Sequence, residues 1–336
     1  MKKALLLLPI LFTLIGCGGS QPTSSVAPSS AAPESSVAPE SSVLPSSEST
    51  KDTSSIRIIS PTGAPTLALY NKVNQLTTNS TPTNVAAQLL ADNYDVVVFD
   101  FYNGLKSQKA NNGHYKLARI LTAGNLYLVG INHNTEPSSG HKIVSFGEGL
   151  LPDLAYKELY GNSGATTSYV SGVQDIAPIL KTGKYAGEDI DYVVIAEPVL
   201  TSTLATIEDT SIYTKFSIRE KWESVKGEGH IIPQAGLFFN MNSYNNNEAT
   251  YNQFLKELDN DISGALVNPS LIKSSFEAVG DVDAQKAKFG IPAAMAYKVT
   301  QNGNGVGLVE EYNKLVITNF LEDINKSSED YSSYIL

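Results

Sequence analysis

Acidic and aromatic side chains that follow predicted strands are the residues of this sequence best suited to bind a small molecule. Asp100 and Tyr102 come directly after the apolar run 95–99, and Glu197 follows a second apolar run at 192–196. An aromatic ring can stack on a flat solute, and a neighbouring carboxylate can accept a hydrogen bond from a ring N–H or an amine. Each acid also has a local alternative: Asp100 can cap the next turn, and Glu197 can start a helix.

The loop 61–66, Pro-Thr-Gly-Ala-Pro-Thr, lies between a predicted strand and a predicted helix. The first amide groups of a helix have no partners within it and carry the positive end of its dipole. Gly63 allows close approach of a ligand, Thr62 and Thr66 add hydroxyl groups, and Ala64 lies between them. Such a loop suits a carboxylate, a phosphate or a ring acceptor atom. The alternative is a turn that its prolines only stiffen.

Further candidate contacts lie around later segments of the sequence. They are Asn125, Tyr127, Phe146, Gly147, Glu148 and Trp222. The first two stand at the start of a predicted strand at 126–131. The segment 146–149 precedes a predicted helix that starts at Pro152, just as the loop around Gly63 precedes an earlier helix. Trp222 forms either a wall of the cleft or a hydrophobic staple on the surface.

Patterns typical of catalysis and metal binding are missing from the sequence. The four histidines, at positions 114, 133, 141 and 230, are separated and show no paired spacing for a metal. The sequence also contains no Gly-x-Ser-x-Gly elbow, phosphate loop or dinucleotide fingerprint. We therefore expect no enzymatic activity, no cofactor and no metal site.

Charge and cysteine content exclude further classes of protein. The 336 residues carry a formal net charge of −10, which argues against a nucleic-acid partner and against a basic membrane-binding face. With only one cysteine, the chain has neither a disulfide framework nor a thiolate metal site.

The amino-terminal segment has the features of a secretory leader. Met1-Lys2-Lys3 supplies positive charge, an apolar stretch runs over 4–15, and Leu14-Ile15-Gly16 precedes Cys17. This order resembles the lipobox of bacterial lipoproteins. The resemblance implies a signal peptide at 1–16, acylation of Cys17, for example with palmitate, and an anchor on the extracytoplasmic face of the cell membrane. The alternatives are an ordinary secretory leader with a chance cysteine and a single transmembrane helix.

Residues 17–55 are expected to form a disordered tether behind this anchor. The segment is rich in Ser, Pro, Ala, Glu and Val and contains near repeats at 35–40 and 41–45. Such a composition cannot bury enough apolar surface to offset the entropy of ordering the chain.

From Ile56 onward, predicted strands alternate with predicted helices. After residue 238 the pattern becomes mainly helical, with predicted helices at 248–258, 271–278, 292–297 and 306–321. Alternating strands and helices indicate an α/β fold with mostly parallel sheets, on which the helical tail must pack.

The order of the motifs is more specific than any one of them. Along the chain come Pro-Thr-Gly-Ala-Pro-Thr (61–66), a strand ending at Asp100, Gly-Asn-Leu-Tyr-Leu-Val (124–129), Gly-Glu-Gly (147–149) and Ile-Ala-Glu-Pro (195–198). This order resembles the solute-binding components of ABC importers, in the branch that includes binding proteins for thiamine-pyrimidine precursors, nitrate and alkanesulfonates. The resemblance covers nearly the whole chain from Ile56. The sequence departs from the family at two places. The strand between the first two helices is reduced to about 75–80, and larger residues at 100–103 replace the small polar residues that are usual there. These differences affect the expected ligand more than the expected fold.

The resemblance implies a two-lobed, Venus-flytrap fold of the type II periplasmic binding proteins. Two crossing strands would join lobe 1 (56–123) to lobe 2 (124–239), and residues 240–336 would form helices that return to lobe 1 and the hinge. Asn125 and Tyr127 would then begin a crossing strand and reach the cleft. The expected partners are a small solute and the permease and ATPase subunits of an ABC transporter, with the chain itself a monomer.

The candidate contacts favour a neutral or cationic ligand. They include three acids and several aromatic residues but no Arg or Lys, which disfavours a bound anion. We therefore expect a nitrogen heterocycle, such as a pyrimidine or a thiamine-like compound. The alternatives are a small anion such as a sulfonate or nitrate, a lipid-anchored enzyme or sensor on the same scaffold, and a surface adhesin without a cleft.

Overall fold

A computed structural model of the chain describes residues 51–301, 307–309 and 314–336. The predicted signal peptide, Cys17 and most of the predicted tether lie outside these residues. Within the described part, no helix combines the length and apolar character needed to cross a membrane.

The first lobe alternates strands and helices. Its elements are β1 (Ile58–Pro61), α1 (Ala64–Ala68), β2 (Leu76–Asn79), α2 (Pro82–Ala91), β3 (Val96–Asp100), α3 (Phe101–Asn111) and β4 (Tyr115–Ile120). Pro82 occupies the first turn of α2 after Thr81, a position that favours proline because the N–H it lacks would have no partner in the helix. The reduced strand expected near 75–80 is β2.

The second lobe repeats the pattern around its own sheet. Its elements are β5 (Leu126–Ile131), β6 (Lys142–Phe146), α4 (Leu151–Tyr160), β7 (Thr166–Val170), α5 (Ile176–Thr182), β8 (Lys184–Tyr185), β9 (Glu188–Asp189), β10 (Tyr192–Ala196), α6 (Val199–Leu204), β11 (Tyr213–Ser217) and α7 (Ile218–Lys226). The sheet order is β11-β5-β10-β6-β7. β6, β7 and β10 are parallel, whereas β5 runs antiparallel to both of its neighbours. The sheet is therefore mixed, with four of its five strands running in the same direction.

The next strand, β12 (Ala235–Asn240), corrects the predicted boundary of the lobes. It pairs antiparallel with β3 and β4, so the first sheet has the order β2-β1-β3-β12-β4. The sequence assigned this apolar run to the end of lobe 2, at residue 239. Pairing places it in lobe 1, and lobe 2 ends at about Gln234.

Two antiparallel segments, 122–124 and 232–234, cross between the lobes. Gly124 N–H donates to the carbonyl of Ile232, and Gln234 N–H donates to the carbonyl of Thr122. A bridge between Ala123 and Pro233 continues the pairing. The hinge is thus a short two-stranded ribbon.

The remaining helices cover the first sheet and the hinge. They are α8 (Met241–Asn246), α9 (Glu248–Val267), α10 (Ser270–Glu277), α11 (Val282–Phe289), α12 (Ala293–Gln301) and α13 (Leu315–Asp323). The predicted tail helix at 306–321 therefore begins later, at Leu315, and its first residues fall partly outside the described ranges.

Alternation along β3 explains how the first sheet is buried on both faces. Val96 and Val98 pack in one cluster with Phe254 of α9, whereas Val97 and Phe99 pack in another cluster that includes Leu105 of α3. Successive side chains of a strand point to opposite faces, so a run of apolar residues requires cover on both sides. The carboxyl end of this strand is fixed between two helical layers.

Gly104 allows α3 to lie directly on β12. A Cβ atom at this position would stand 2.3 Å from the ring of Phe238, which no side chain could tolerate without displacing that ring. The close approach holds the first turn of α3, and with it Asp100, against the sheet.

Candidate functional site

A cleft of about 230 Å³ lies between the lobes, at the carboxyl ends of β1, β3, β6 and β10. Its polar lining residues are Thr62, Asp100, Thr122, Asn125, Ser171, Gln174, Glu197 and Gln234. Its apolar lining includes Phe99, Phe146, Leu150, Leu151 and the prolines at positions 61, 65, 82, 152 and 198. An apolar cleft with a few convergent polar groups is the usual form of a small-molecule site.

Most of the sequence-predicted contacts meet at this cleft. They are Thr62, Gly63, Ala64, Asp100, Asn125, Phe146, Gly147 and Glu197. They come from both lobes and the hinge because the strand ends of the two sheets face each other.

Tyr102 and Trp222 do not line the cleft, and both assignments are corrected. Tyr102 is only 3% exposed, and its hydroxyl group donates to Glu329 Oε2 at 3.1 Å. Trp222 is fully buried: its Nε1–H donates to Asp323 Oδ2 at 3.2 Å, and its ring stacks on Phe320. Trp222 is therefore neither a cleft wall nor a surface staple. Both rings lie in helices, where packing against α13 and the carboxyl end of the chain decides their direction.

Glu148 and Tyr127 lie beside the cleft without lining it. Glu148 lines an adjoining open depression with Tyr169, Asp175 and Tyr185. Tyr127 lies in β5 opposite Ile195, and burial, together with the nearby carboxyl group of Glu197, raises its pKa.

Asp100 is both a cleft residue and the cap of α3. Its Oδ1 accepts a hydrogen bond from Asn103 N–H at 3.0 Å, and its Oδ2 accepts one from Asn103 Nδ2 at 3.1 Å. Leu151 N–H, at the start of α4 in the other lobe, donates to the same Oδ2 at 3.2 Å. Burial raises the pKa of the Asp100 carboxyl group, although these hydrogen bonds act in the opposite direction. Asp100 thus caps α3, as its local alternative predicts, and it also lines the cleft.

Glu197, on the opposite side of the cleft, is likewise both a lining residue and an acceptor of local hydrogen bonds. Thr201 donates to it twice, from its N–H at 3.0 Å and from its hydroxyl group at 2.6 Å. The residue is 6% exposed, and burial raises the pKa of its carboxyl group against the effect of these two bonds.

Asn125 presents an unused acceptor at the hinge. Its Nδ2 donates to the carbonyl of Glu197 at 3.1 Å, and its backbone N–H donates to Gln234 Oε1 at 3.0 Å. The residue is 5% exposed, and its Oδ1 has no hydrogen-bond partner among the described residues. An unpaired buried acceptor is costly, so a ligand that donates a hydrogen bond here would recover that cost.

The loop around Gly63 differs from its predicted role as a donor of free amide groups. Gly63 N–H donates to the carbonyl of Phe289 at 2.8 Å, and Thr62 N–H donates to the carbonyl of Asn79 at 3.2 Å. Gly63 is required for another reason, since its φ of 104° lies in a region that other residues rarely adopt. The loop therefore shapes the wall of the cleft, while those two amide groups bind the protein itself.

The cleft is acidic. It contains Asp100 and Glu197, and none of the lining residues that the structure describes is a Lys or an Arg. Grouped His, Cys, Asp and Glu side chains suited to a metal ion are also missing from the described ranges.

Sequence reasoning missed several polar lining residues: Thr122, Ser171, Gln174 and Gln234. Thr122 and Gln234 belong to the two crossing segments. Thr122 follows the buried strand β4, and Gln234 precedes the buried strand β12. These positions beside buried strands were the sequence signal that could have identified both residues. Ser171 and Gln174 follow β7, whose polar sequence Thr-Thr-Ser-Tyr-Val gave no strand signal.

Comparison with known proteins identifies the fold. No protein-family model and no curated protein sequence matches the chain. A solved structure from Parabacteroides distasonis, described as an ABC transporter, matches with a TM-score of 0.58 and 17% identity over 81% of this chain and 92% of that one. A zinc-bound ligand-binding component of an ABC-type import system from Staphylococcus aureus matches with a TM-score of 0.56 and 12% identity, over 84% and 96% of the two chains.

The periplasmic aliphatic sulphonate binding protein of Escherichia coli is also similar, with a TM-score of 0.53 and 12% identity over 80% of this chain and 85% of that one. Identities this low establish architecture and leave the ligand open. The described chain has the α/β, two-lobed fold of the periplasmic binding proteins, as its sequence predicted.

Proposed function

We propose that this protein is the extracytoplasmic solute-binding component of an ABC importer. The observation that carries the proposal is the cleft between the lobes, because strand ends and polar side chains from both sheets converge there. A site shared by two hinged lobes gains contacts on closure that the open form lacks, so ligand binding and lobe closure are coupled.

The chemistry of the cleft favours a neutral or cationic solute that donates hydrogen bonds. Asp100, Glu197 and the Oδ1 atom of Asn125 are acceptors, and prolines with Phe99 and Phe146 supply apolar surface. A flat nitrogen heterocycle with an amino group, such as a pyrimidine or a thiamine-like compound, meets both requirements. Micromolar affinity corresponds to about −8 kcal/mol, which a few such contacts can supply.

Calorimetric titration of the full chain in detergent tests this proposal. Thiamine, its pyrimidine precursor, taurine and nitrate are the probes. We expect heat from at least one heterocycle and none from taurine or nitrate. Tight binding of taurine or nitrate, with silence from both heterocycles, would replace the proposed ligand by the sulfonate or nitrate alternative. Silence from all four probes and from a wider solute library would contradict a solute-binding role.

The lipid anchor forms the second part of the proposal and rests on the sequence Leu14-Ile15-Gly16-Cys17. It would hold the two lobes near a permease and its ATPase subunits. Metabolic labelling with radioactive palmitate tests it, with Cys17→Ala as the control. We expect label in the wild-type protein alone, and equal labelling of the two proteins would refute acylation at Cys17.

A further inference from the structure

One hydrogen bond joins the two lobes across the cleft through a charged group. Asp100 Oδ2, at the end of β3 in lobe 1, accepts from Leu151 N–H, the first amide of α4 in lobe 2, at 3.2 Å. The two residues belong to different lobes and are 51 positions apart in the sequence. The contact therefore exists only while the lobes face each other.

The start of α4 is the position in this cleft best suited to an anion. The helix has 10 residues, and its first amide groups carry the positive end of its dipole. Pro152 has no N–H, so Leu151 supplies the leading donor. This donor is already occupied, because the Leu151 N–H donates to the Asp100 carboxylate.

The carboxylate is fixed in place from its own side. Asn103 donates to Asp100 through both its backbone N–H and its Nδ2, and these bonds anchor the acid on the first turn of α3. The side chain does not have to reorganise to meet Leu151. The Asp100 side chain therefore occupies, at the start of α4, the place that a bound anion would otherwise take.

A second acid, Asp153, engages further donors near the start of α4. Asp153, in the first turn of α4, is fully buried and accepts from Gly149 N–H at 2.8 Å. It also accepts from Lys157 Nζ and from the Tyr169 hydroxyl group, each at 2.8 Å, so its own charge is compensated locally. The neighbouring Lys157 is thereby committed to Asp153, and it does not line the cleft.

We propose that Asp100 is a specificity-determining residue, which occupies the start of α4 with its own carboxylate and so excludes anionic solutes from the cleft. The inference rests on the proposed solute-binding function and adds to it the reason for the sign of the ligand. A solute anion would have to displace Asp100 or lie against its charge, and like charges at close range disfavour binding strongly. A cationic or donor-bearing solute would instead gain Asp100 as an acceptor.

Removal of the carboxylate tests this inference. Calorimetry with ethanesulfonate should detect no binding to the wild-type chain and a gain of roughly tenfold or more in affinity for Asp100→Ala, since the Leu151 N–H and the helix dipole become available. Asp100→Asn, which keeps an acceptor for Asn103 but loses the charge, should gain less. Asp209→Asn, which removes an exposed carboxylate away from the cleft, is the matched control and should behave as the wild type.

Binding of ethanesulfonate to the wild-type chain as tightly as to Asp100→Ala would overturn the inference. So would no gain in either variant at Asp100 while thermal melting shows that both are folded. If Asp100→Ala does not fold, the Asn variant decides alone. A heterocycle that binds the wild type while neither variant gains ethanesulfonate would refute only the role of Asp100. A wild-type chain that binds no solute would refute the proposed function, and the inference that rests on it would fall as well.

Discussion

The two ends of β3 carry the same residue type in opposite surroundings. Asp95 precedes the strand and accepts from Arg57 three times, from its N–H at 2.9 Å, Nε at 3.0 Å and Nη2 at 3.1 Å, and once from the Ser243 hydroxyl group at 3.0 Å. Asp100 ends the strand in the cleft, with amide donors and without a cationic partner among the lining residues described.

The electrostatic outcomes differ accordingly. Burial acts to raise the pKa of the Asp95 carboxyl group, but the hydrogen bonds and charge of Arg57 outweigh it and lower the pKa. At Asp100 burial prevails, and the pKa is raised. The Asp95 carboxylate is therefore neutralised within the protein and stabilises the fold. The Asp100 carboxyl group has no such partner, and a ligand that donates hydrogen bonds or carries positive charge can stabilise its ionised form.

The largest change in the free energy of unfolding is expected for substitution of Asp95, which is paired with Arg57. Asp95→Ala should lower the free energy of unfolding by about 2 kcal/mol, because it leaves the Arg57 backbone N–H and the Ser243 hydroxyl group without their shared acceptor. Urea denaturation measures the change. Asp330→Asn, an exposed carboxylate, serves as the control and should stay close to the wild type. A loss for Asp95→Ala no larger than that of the control would remove the contrast between the two ends.

Removal of a cleft carboxylate should affect ligand affinity more than stability. Glu197→Gln keeps acceptor and donor atoms near Thr201 but removes the charge, and we expect about a tenfold loss of affinity for the best heterocycle, about 1.4 kcal/mol. Thermal melting should show little change. Tyr127→Ala, which lies beside the cleft next to Glu197, should weaken binding less. Unchanged affinity in Glu197→Gln would separate this acid from the ligand.

The two ends of β3 should also respond to pH with opposite signs. A raised pKa in the folded state means that the folded protein binds more protons than the unfolded chain, so the Asp100 contribution to stability increases as pH falls from the raised folded pKa toward the unfolded value of about 3.9. A lowered pKa means the reverse, so the Asp95 contribution is present above about pH 4 and is lost as pH falls through the folded pKa.

Urea denaturation at several pH values, for the wild type and Asp100→Asn, measures this difference. The stability of the wild type relative to the variant should rise as the pH is lowered toward about 4. A constant difference over the whole range would show that the Asp100 carboxyl group has no raised pKa.

The smallest effect is expected near Asp95 but at the surface. Asp92 pairs with His114, and their side chains are 50% and 36% exposed. Exposed ion pairs contribute little because water screens them, so Asp92→Asn should change the free energy of unfolding by about 0.5 kcal/mol or less. A loss comparable to that of Asp95→Ala would mean that burial does not decide which acids stabilise the sheet.

Strands that are apolar on both faces were the part of the fold that sequence could predict. The predicted strands 126–131 and 192–196 coincide with β5 and β10, because continuous apolar runs between turn residues have few other solutions. The placement of β12 could not be predicted in this way. Its apolar run would suit either sheet, and only pairing with β3 and β4 decides between them.

The candidate site could be predicted where backbone position alone brings a residue to a strand end, as for Asp100 and Glu197. It could not be predicted where the direction of a side chain matters. Tyr102 lies two positions beyond Asp100, yet α3 begins at Phe101 and turns the tyrosine toward Glu329. The Phe-Tyr-Asn-Gly start of this helix has weak intrinsic helical preference, and the Asp100 cap and the contact of Gly104 with Phe238 compensate for it.

The packing of α13 gives the molecule an optical probe of its own movement. The ring of Phe320 lies 5.5 Å from that of Phe101 in lobe 1 and 5.7 Å from that of Trp222 in lobe 2, so one side chain touches a helix of each lobe. Trp222 is the only tryptophan in the sequence. Its emission therefore comes from this joint alone, and a titration that opens or closes the lobes can be followed by intrinsic fluorescence without an added label.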